Sequence, residues 1–281
     1  MSKVITGIGE ILWDLLPSGK NLGGAPANFA YHASRLGAEG WVVSAVCDDP
    51  LGREIRELVL SKKLNNILAD SDKPTGTVEV SLDDKGVPSY LIKEDVAWDN
   101  IPFNDSIKAL AERTDAVCYG SLVQRMNSRD AVMKFLLSMR DDALKVFDIN
   151  LRQHYYDKEL IDASLKMADI LKINDDEIKI VEEMFNLGAD DVAACRELIE
   201  NYGLKLVILT KGGDGSCIVT HDRVLERGVG KVEVVDTVGA GDAFTAAFTV
   251  AYLNGDSLER AQELATETAS YVCSRKGAMP E

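Results

Sequence analysis

The sequence predicts an α/β fold: a doubly wound, mostly parallel sheet with helices on both faces, plus a small β-sheet set into its first half. Two patterns carry that expectation. From residue 105 onward, short continuous apolar runs alternate with helical segments. Strands that are apolar along their whole length are buried on both faces, as in a parallel sheet. Between residues 76 and 92, "GTVEVSLDDKGVPSYLI" instead alternates apolar and polar positions around a turn at 83–86, the pattern of a half-exposed hairpin.

The elements follow in chain order. "KVITGIGEIL" reads as a strand turning at Gly7 and Gly9. "APANFAYHASRLG" is a helix, with Pro26 in its first turn and Gly37 just past its end. "GWVVSAVCD" is a buried strand, followed by a helix over about 50–64. Inserted strands within 10–22 and 73–98 form the small sheet, a lid on a single domain spanning 1–281. The later buried strands are "AVCYGSL", "LKVFDIN", "DILKIN", "KLVILTK" and "KVEVVD". Helices are expected near 129–140, 158–168, 176–186, 191–202, 242–254 and 258–274. Sheets of this kind bind ligands beyond the carboxyl ends of their strands.

Composition narrows the function. The 281 residues are 46% hydrophobic and 27% charged, as in soluble globular proteins. A net charge of −15 and the lack of any basic block exclude nucleic acid as a partner, because duplex affinity comes from neutralising phosphates. Glu10 and Asp14 interrupt the apolar start, so neither a signal peptide nor a membrane span is expected. Five scattered cysteines without a CxxC pair argue for reduced thiols and a cytoplasmic protein. His32, His154 and His221 are far apart and read as surface or half-buried residues, and no G-x-S-x-G nucleophile elbow occurs.

The densest chemistry lies in "DTVGAGDAFTAAF", residues 236–248. It reads as a strand opening into a helix whose first turn is stripped to Gly239, Ala240 and Gly241 and followed by Asp242. A helix N-terminus offers unpaired N–H groups and partial positive charge. Bare backbone there lets a phosphoryl group approach, and an adjacent carboxylate can take a proton from an attacking hydroxyl. The helix dipole is expected to keep Asp242 ionised and therefore a weak base. The alternative is a plain Gly-rich turn with an acidic first-turn residue. A dinucleotide fingerprint lacks its third glycine, since Phe244 stands there, and the G-x-x-x-x-G-K-[ST] loop is absent.

This segment resembles the C-terminal signature of the ribokinase-like (PfkB-type) carbohydrate kinases, and "GGAPANFAYHASRLG" resembles their N-terminal signature. The resemblance implies that Asp242 is the catalytic base and that Gly239, Ala240 and Gly241 form an anion hole. It implies sugar contacts from Asp14, Gly24 and Asn28. In "KINDDE", Asn174 and Glu177 match an N-x-x-E element that places Mg²⁺ and phosphate; the same residues also suit plain helix capping. "LTKGGDGS" is similar to the family's nucleotide loop, with Thr210, Lys211, Gly212 and Gly215 near ATP; without the resemblance it reads as a hairpin turn. Asp236 and Val238 match positions that bind a monovalent cation such as K⁺ in relatives, whose other ligands come from the C-terminal tail.

"EDVAWD", "GSLVQR", "FDINLR" and "KGAMP" look most like fructokinases, implying transfer from ATP to the terminal hydroxyl of D-fructose. Arg152 would reach a phosphate or substrate carboxylate, which keeps 2-keto-3-deoxygluconate, and beside it ribose, as alternatives. Tyr90 and Trp98 would cover a sugar face, and Gln124 and Arg125 would contribute to specificity or cap a solvated helix. A homodimer through the lid is expected from relatives. The alternative of another class is a sugar- or nucleotide-binding protein without catalysis.

Overall fold

The computed structural model describes residues 2–16, 19–82, 88–188 and 190–281, with backbone alone for 80–82 and 88–90. The first half carries β1 (Val4–Ile8), β2 (Leu12–Leu16), β3 (Gly19–Gly23), α1 (Ala25–Arg35), β4 (Glu39–Cys47), α2 (Pro50–Ser61) and β5 (Asn65–Ser71). Then come β6 (Thr77–Leu82), β7 (Pro88–Ile92), α3 (Asp105–Arg113), β8 (Ala116–Tyr119), α4 (Ser128–Ser138) and β9 (Leu144–Asp148). The rest comprises α5 (Lys158–Leu165), β10 (Ile170–Asn174), α6 (Asp175–Phe185), α7 (Asp191–Tyr202) and β11 (Leu206–Thr210). It closes with β12 (Ser216–Val219), β13 (Val224–Arg227), α8 (Ala240–Leu253) and α9 (Leu258–Cys273).

Among the described residues the large sheet runs β13-β12-β11-β10-β9-β8-β1-β4-β5. From β11 to β5 every neighbouring pair is parallel, and β12 and β13 add an antiparallel edge. Alternate residues of each strand face opposite sides, so both faces must be covered. Val4 and Ile8 join the cluster of α3 to α7, whereas Ile5 packs with Phe29, Ala33, Phe244 and Phe248 of α1 and α8. This is the doubly wound α/β architecture the sequence predicts.

The small sheet has the order β3-β2-β6-β7. β6 and β7 pair antiparallel in the register Val78↔Ile92, as the alternating pattern demands, and β2 lies parallel to β6. The expected turn at 83–86 and the side chain of Tyr90 lie outside the described residues.

Three segments depart from the sequence reading. "KVEVVD" is not a strand: Val234 and Val235 are 62% and 52% exposed, and the N–H groups of Val235 and Asp236 donate to the Cys273 carbonyl at the end of α9. The edge it would occupy is filled by the β12–β13 hairpin, which the sequence reading passes over. α3, capped by Asn104, whose side chain accepts from the Ile107 N–H at 3.0 Å, and strand β5 are likewise elements that periodicity alone misses. Among the described residues, no helix is long and apolar enough to cross a membrane.

Candidate active site

The two long motifs meet at one point. α8 begins at Ala240 behind Gly239, whose φ of 79° is the left-handed conformation that favours glycine. A Cβ on Gly239 would lie 2.5 Å from the Cβ of Ala278, so the returning C-terminal tail also requires glycine there. The Ala240 N–H is drawn to the Thr237 carbonyl at 3.3 Å. Among the described residues, this leaves Gly241 and Asp242 as first-turn N–H groups without a backbone acceptor.

Asp242 is half-buried, and its Oδ2 accepts from Nδ2 of Asn28 at 2.7 Å. Asn28 sits in the first turn of α1, which enters through Gly24 with φ 112°. A Cβ on Gly24 would meet the Glu10 carbonyl oxygen at 2.2 Å, so the N-terminal glycines bring α1 against the end of β1. Glu10 replaces a cap: its Oε1 accepts the Ala25 N–H at 3.2 Å, placing a carboxylate at a helix N-terminus.

The carboxyls here are not held low. Burial, then repulsion from Asp148, pushes Asp242 up to about 6, against the Asn28 hydrogen bond, Lys172 and Arg152. Burial and then repulsion from Asp148 outweigh the dipole, so Asp242 is a stronger base than helix geometry alone implies, while at neutral pH it is still mostly ionised, as the sequence reading expects. Burial likewise raises Glu10 to about 7 and Asp14 to about 6, with Arg152 opposing both. Asp14 lies on β2, leaning toward Gly23, where a Cβ would stand 2.5 Å from Asp14 Oδ2. Arg152 is exposed, with Nη1 donating to the Leu151 carbonyl at 3.0 Å.

Behind Asp242 runs a polar layer that the sequence reading misses. Lys172 pairs with Asp148 at 3.1 Å, both buried, and Thr245 Oγ1 donates to Asp148 Oδ2 at 3.0 Å. Burial works against the Lys172 ammonium, but Asp148, Glu177 and Asp242 outweigh it and hold its pKa above the usual value. A Cβ on Gly241 would lie 3.4 Å from Lys172 Nζ, so this cation sits beneath the first turn of α8. The signal was present: a lysine inside the apolar run "DILKIN" can persist only with a partner.

The remaining predicted residues flank this centre. Asn174 and Glu177 form a capping box: Asn174 Oδ1 accepts the N–H groups of Asp176 (3.0 Å) and Glu177 (2.8 Å), and Glu177 Oε2 accepts the Asn174 N–H (3.0 Å). Glu177 Oε1 takes the Leu151 N–H at 2.9 Å, tying α6 to the end of β9. Burial raises the Glu177 pKa, with Lys172 opposing. Thr210 ends β11, its Oγ1 donating to the Ile173 carbonyl at 3.5 Å. Gly212 and Gly215 build the tight turn into β12, so the hairpin reading holds for these residues. Asp236 is doubly used: Oδ1 accepts the Val238 N–H (3.0 Å) and Oδ2 the Gly277 N–H (2.9 Å), so the 277 segment of the tail meets Asp236. Among the described residues, no three His, Cys, Asp or Glu side chains gather as a metal cage. A cleft of about 600 Å³ opens beside the 227–233 segment, walled by Arg227, Lys231, Glu233, Glu263 and Tyr271.

Three expectations are corrected. Trp98 is fully buried and covers no sugar face. Arg125 is neither a solvated cap nor a specificity contact: it is buried, donates to both Asp99 oxygens at 2.7 Å, and lies between the rings of Trp98 (4.2 Å) and Tyr155 (4.6 Å). Gln124, also buried, gives its amide to the Gly120 carbonyl and Ser164 Oγ, both at 2.9 Å. His32 is buried rather than superficial, and its Nε2 meets the Ala278 carbonyl at 2.8 Å, pinning the tail to α1.

Comparison with known proteins bears on the family and the fold. Residues 18–281 match the model of the pfkB family carbohydrate kinases. A sugar kinase from Pyrococcus horikoshii is 33% identical over 298 aligned positions, covering 98% of this chain and 91% of the relative. Its crystal structure in complex with ATP superposes with a TM-score of 0.82, at 30% identity over 98% of this chain and 94% of that one. A 5-dehydro-2-deoxygluconokinase from Bacillus thuringiensis is 27% identical over 91% of this chain and 81% of its own length. A fructokinase from Xylella fastidiosa with bound ATP shares the fold, with a TM-score of 0.86 at 19% identity, covering 99% and 94% of the two chains.

Proposed function

The chain belongs to the pfkB family of carbohydrate kinases, and from that premise we propose that it transfers the γ-phosphoryl group of ATP to the terminal primary hydroxyl of D-fructose, giving fructose 6-phosphate and ADP. The observation that carries the chemistry is the 2.7 Å contact between Asn28 and Asp242. It joins the helix expected to hold the sugar to the carboxylate at the bare N-terminus of α8.

In this reading Asp14, Gly24 and Asn28 hold the sugar hydroxyls. Asp14, on the small sheet, enters the site with that sheet, which acts as a lid and excludes water as a competing acceptor. Asp242 takes the proton from the attacking hydroxyl as its oxygen bonds to the γ-phosphorus and the bond to the ADP oxygen breaks. The Gly241 and Asp242 N–H groups meet the transferring oxygens, and the Lys172 ammonium beneath them adds positive potential. The cleft beside 227–233 takes the nucleotide base, and Asn174, Thr210, Gly212 and Gly215 take its phosphates.

The residues fit Mg²⁺ only as a guest of the nucleotide. Both Glu177 oxygens already accept backbone N–H groups, so Glu177 would hold the ion through water, as suits a metal that keeps its waters. When bound, Mg²⁺ would neutralise phosphate charge. Asp236 and Val238 would place K⁺ beside the tail. Cytoplasmic residence and a homodimer through the lid complete the proposal. The exposed Arg152 favours one second reading, an acid sugar such as 2-keto-3-deoxygluconate, with ribose the neutral alternative.

ADP release with Mg·ATP over fructose, ribose, glucose, adenosine and 2-keto-3-deoxygluconate tests the proposal. Preferred turnover of fructose supports it, and preference for 2-keto-3-deoxygluconate assigns Arg152 to the substrate carboxylate instead. Sugar binding without any turnover would replace catalysis with a binding function.

A further inference from the structure

We propose that Asn28 is a positioning residue for the base: by donating its amide to one oxygen of Asp242, it leaves the other oxygen to take the hydroxyl proton. This rests on the reading above, in which the chain is a kinase and Asp242 its base.

The geometry is specific. Asn28 is 3% exposed and donates from Nδ2 to Oδ2 of Asp242 at 2.7 Å, across 214 positions of sequence. Its backbone is held at the start of α1, where its own N–H donates to the Gly24 carbonyl at 3.0 Å and the preceding Ala25 N–H is held by Glu10. The amide cannot profitably turn over, because its oxygen would then face a carboxylate oxygen, acceptor against acceptor. In the orientation it keeps, Asn28 Oδ1 is buried without a partner among the described residues. An unpartnered buried acceptor costs about 1–3 kcal/mol, so the bond to Asp242 and a donor from the substrate are the interactions that make this orientation useful. A carboxylate at a helix N-terminus otherwise turns freely about its last bond; one occupied oxygen fixes the other.

The charged groups around Asp242 make this donor matter. Asp148, from β9, and Glu10, after β1, are carboxyls that repel its charge; Lys172, from β10, and Arg152, after β9, attract it; the Cys118 thiol of β8 also feels it. Burial and Asp148 push the carboxyl up, and the Asn28 hydrogen bond is the first of the effects that bring it back. The amide is uncharged and keeps its donor at any working pH, so it can hold the base in place throughout.

The test is the pH profile of kcat/KM, with kcat and both KM values, for Asn28→Ala, Asn28→Ser and Asn28→Asp beside Asp242→Asn and the unaltered protein. Asn28→Ala and Asn28→Ser should lower kcat about 10- to 100-fold, leave the KM for ATP unchanged, and move the acid limb to higher pH. Asn28→Asp should move that limb further, because a second carboxylate would face the base. The serine variant keeps a polar group too short to reach Asp242, and serves if the alanine variant does not fold. A rise in sugar KM alone, with kcat and the acid limb unmoved, would reduce Asn28 to a sugar contact and overturn the inference. Retained turnover in Asp242→Asn would instead overturn the reading on which it rests.

Discussion

Gly239→Ala puts the junction between the anion hole and the tail under a measurable load. The residue sits at φ 79°, and a side chain there costs about 1–2 kcal/mol because Cβ crowds the following carbonyl. The added Cβ would also fall 2.5 Å from the Cβ and 2.8 Å from the Cα of Ala278, whose carbonyl is held by His32. Overpacking of that kind costs about 1–3 kcal/mol, so the variant should lose about 2–5 kcal/mol of stability. A displacement of about 1 Å at the first turn of α8 should lower kcat about 100-fold. Urea unfolding with steady-state turnover measures both. Ala278→Gly in the same chain removes one of the two close contacts and should restore about 1 kcal/mol, while the backbone strain remains. A Gly239→Ala protein as stable as the parent, or one that Ala278→Gly leaves unimproved, would refute the reasoning.

Other outcomes follow from the same structure. Arg125→Met leaves Asp99 buried without its partner and should cost about 3–5 kcal/mol in urea unfolding; adding Asp99→Asn should recover most of it. Turnover should fall as pH drops through about 6, where Asp242 becomes protonated, and a pH–rate profile flat from 5 to 8 would contradict its role. Glu10 has a folded pKa of about 7 against an ordinary 4.5, so the folded state resists its ionisation and stability is lost as pH rises through that window. Glu10→Gln should therefore stabilise the protein at pH 8, with the gain vanishing below pH 4, as chemical denaturation at both values would show.

What could be read in advance depended on whether the signal was local. The first turn of α8 was legible because missing side chains are visible in sequence, and α1 because Pro26 and Gly37 punctuate it. The contact between Asn28 and Asp242 was not, since two residues far apart in sequence meet only once the sheet brings α1 beside α8. Residues 231–236 misled because alternating valines look the same on a sheet edge and on an exposed segment; only the β12–β13 hairpin decides between them. Arg125 looked solvated because its acidic and aromatic partners, Asp99, Trp98 and Tyr155, lie in other segments. His32 reads as superficial for the same reason, since its partner is the tail. Asp242 differs: the dipole is local and visible, whereas the burial that chiefly raises its pKa, and the neighbouring Asp148, arise only on folding.

The most direct measurement is single-turnover transfer of labelled γ-phosphate from Mg·ATP to fructose by the parent protein and Asp242→Asn, with binding of both substrates determined alongside. Transfer that falls about 10²- to 10⁴-fold in a variant that folds and still binds sugar and nucleotide is the expected result. Near-parental transfer by Asp242→Asn would contradict the assignment of this carboxylate as the base.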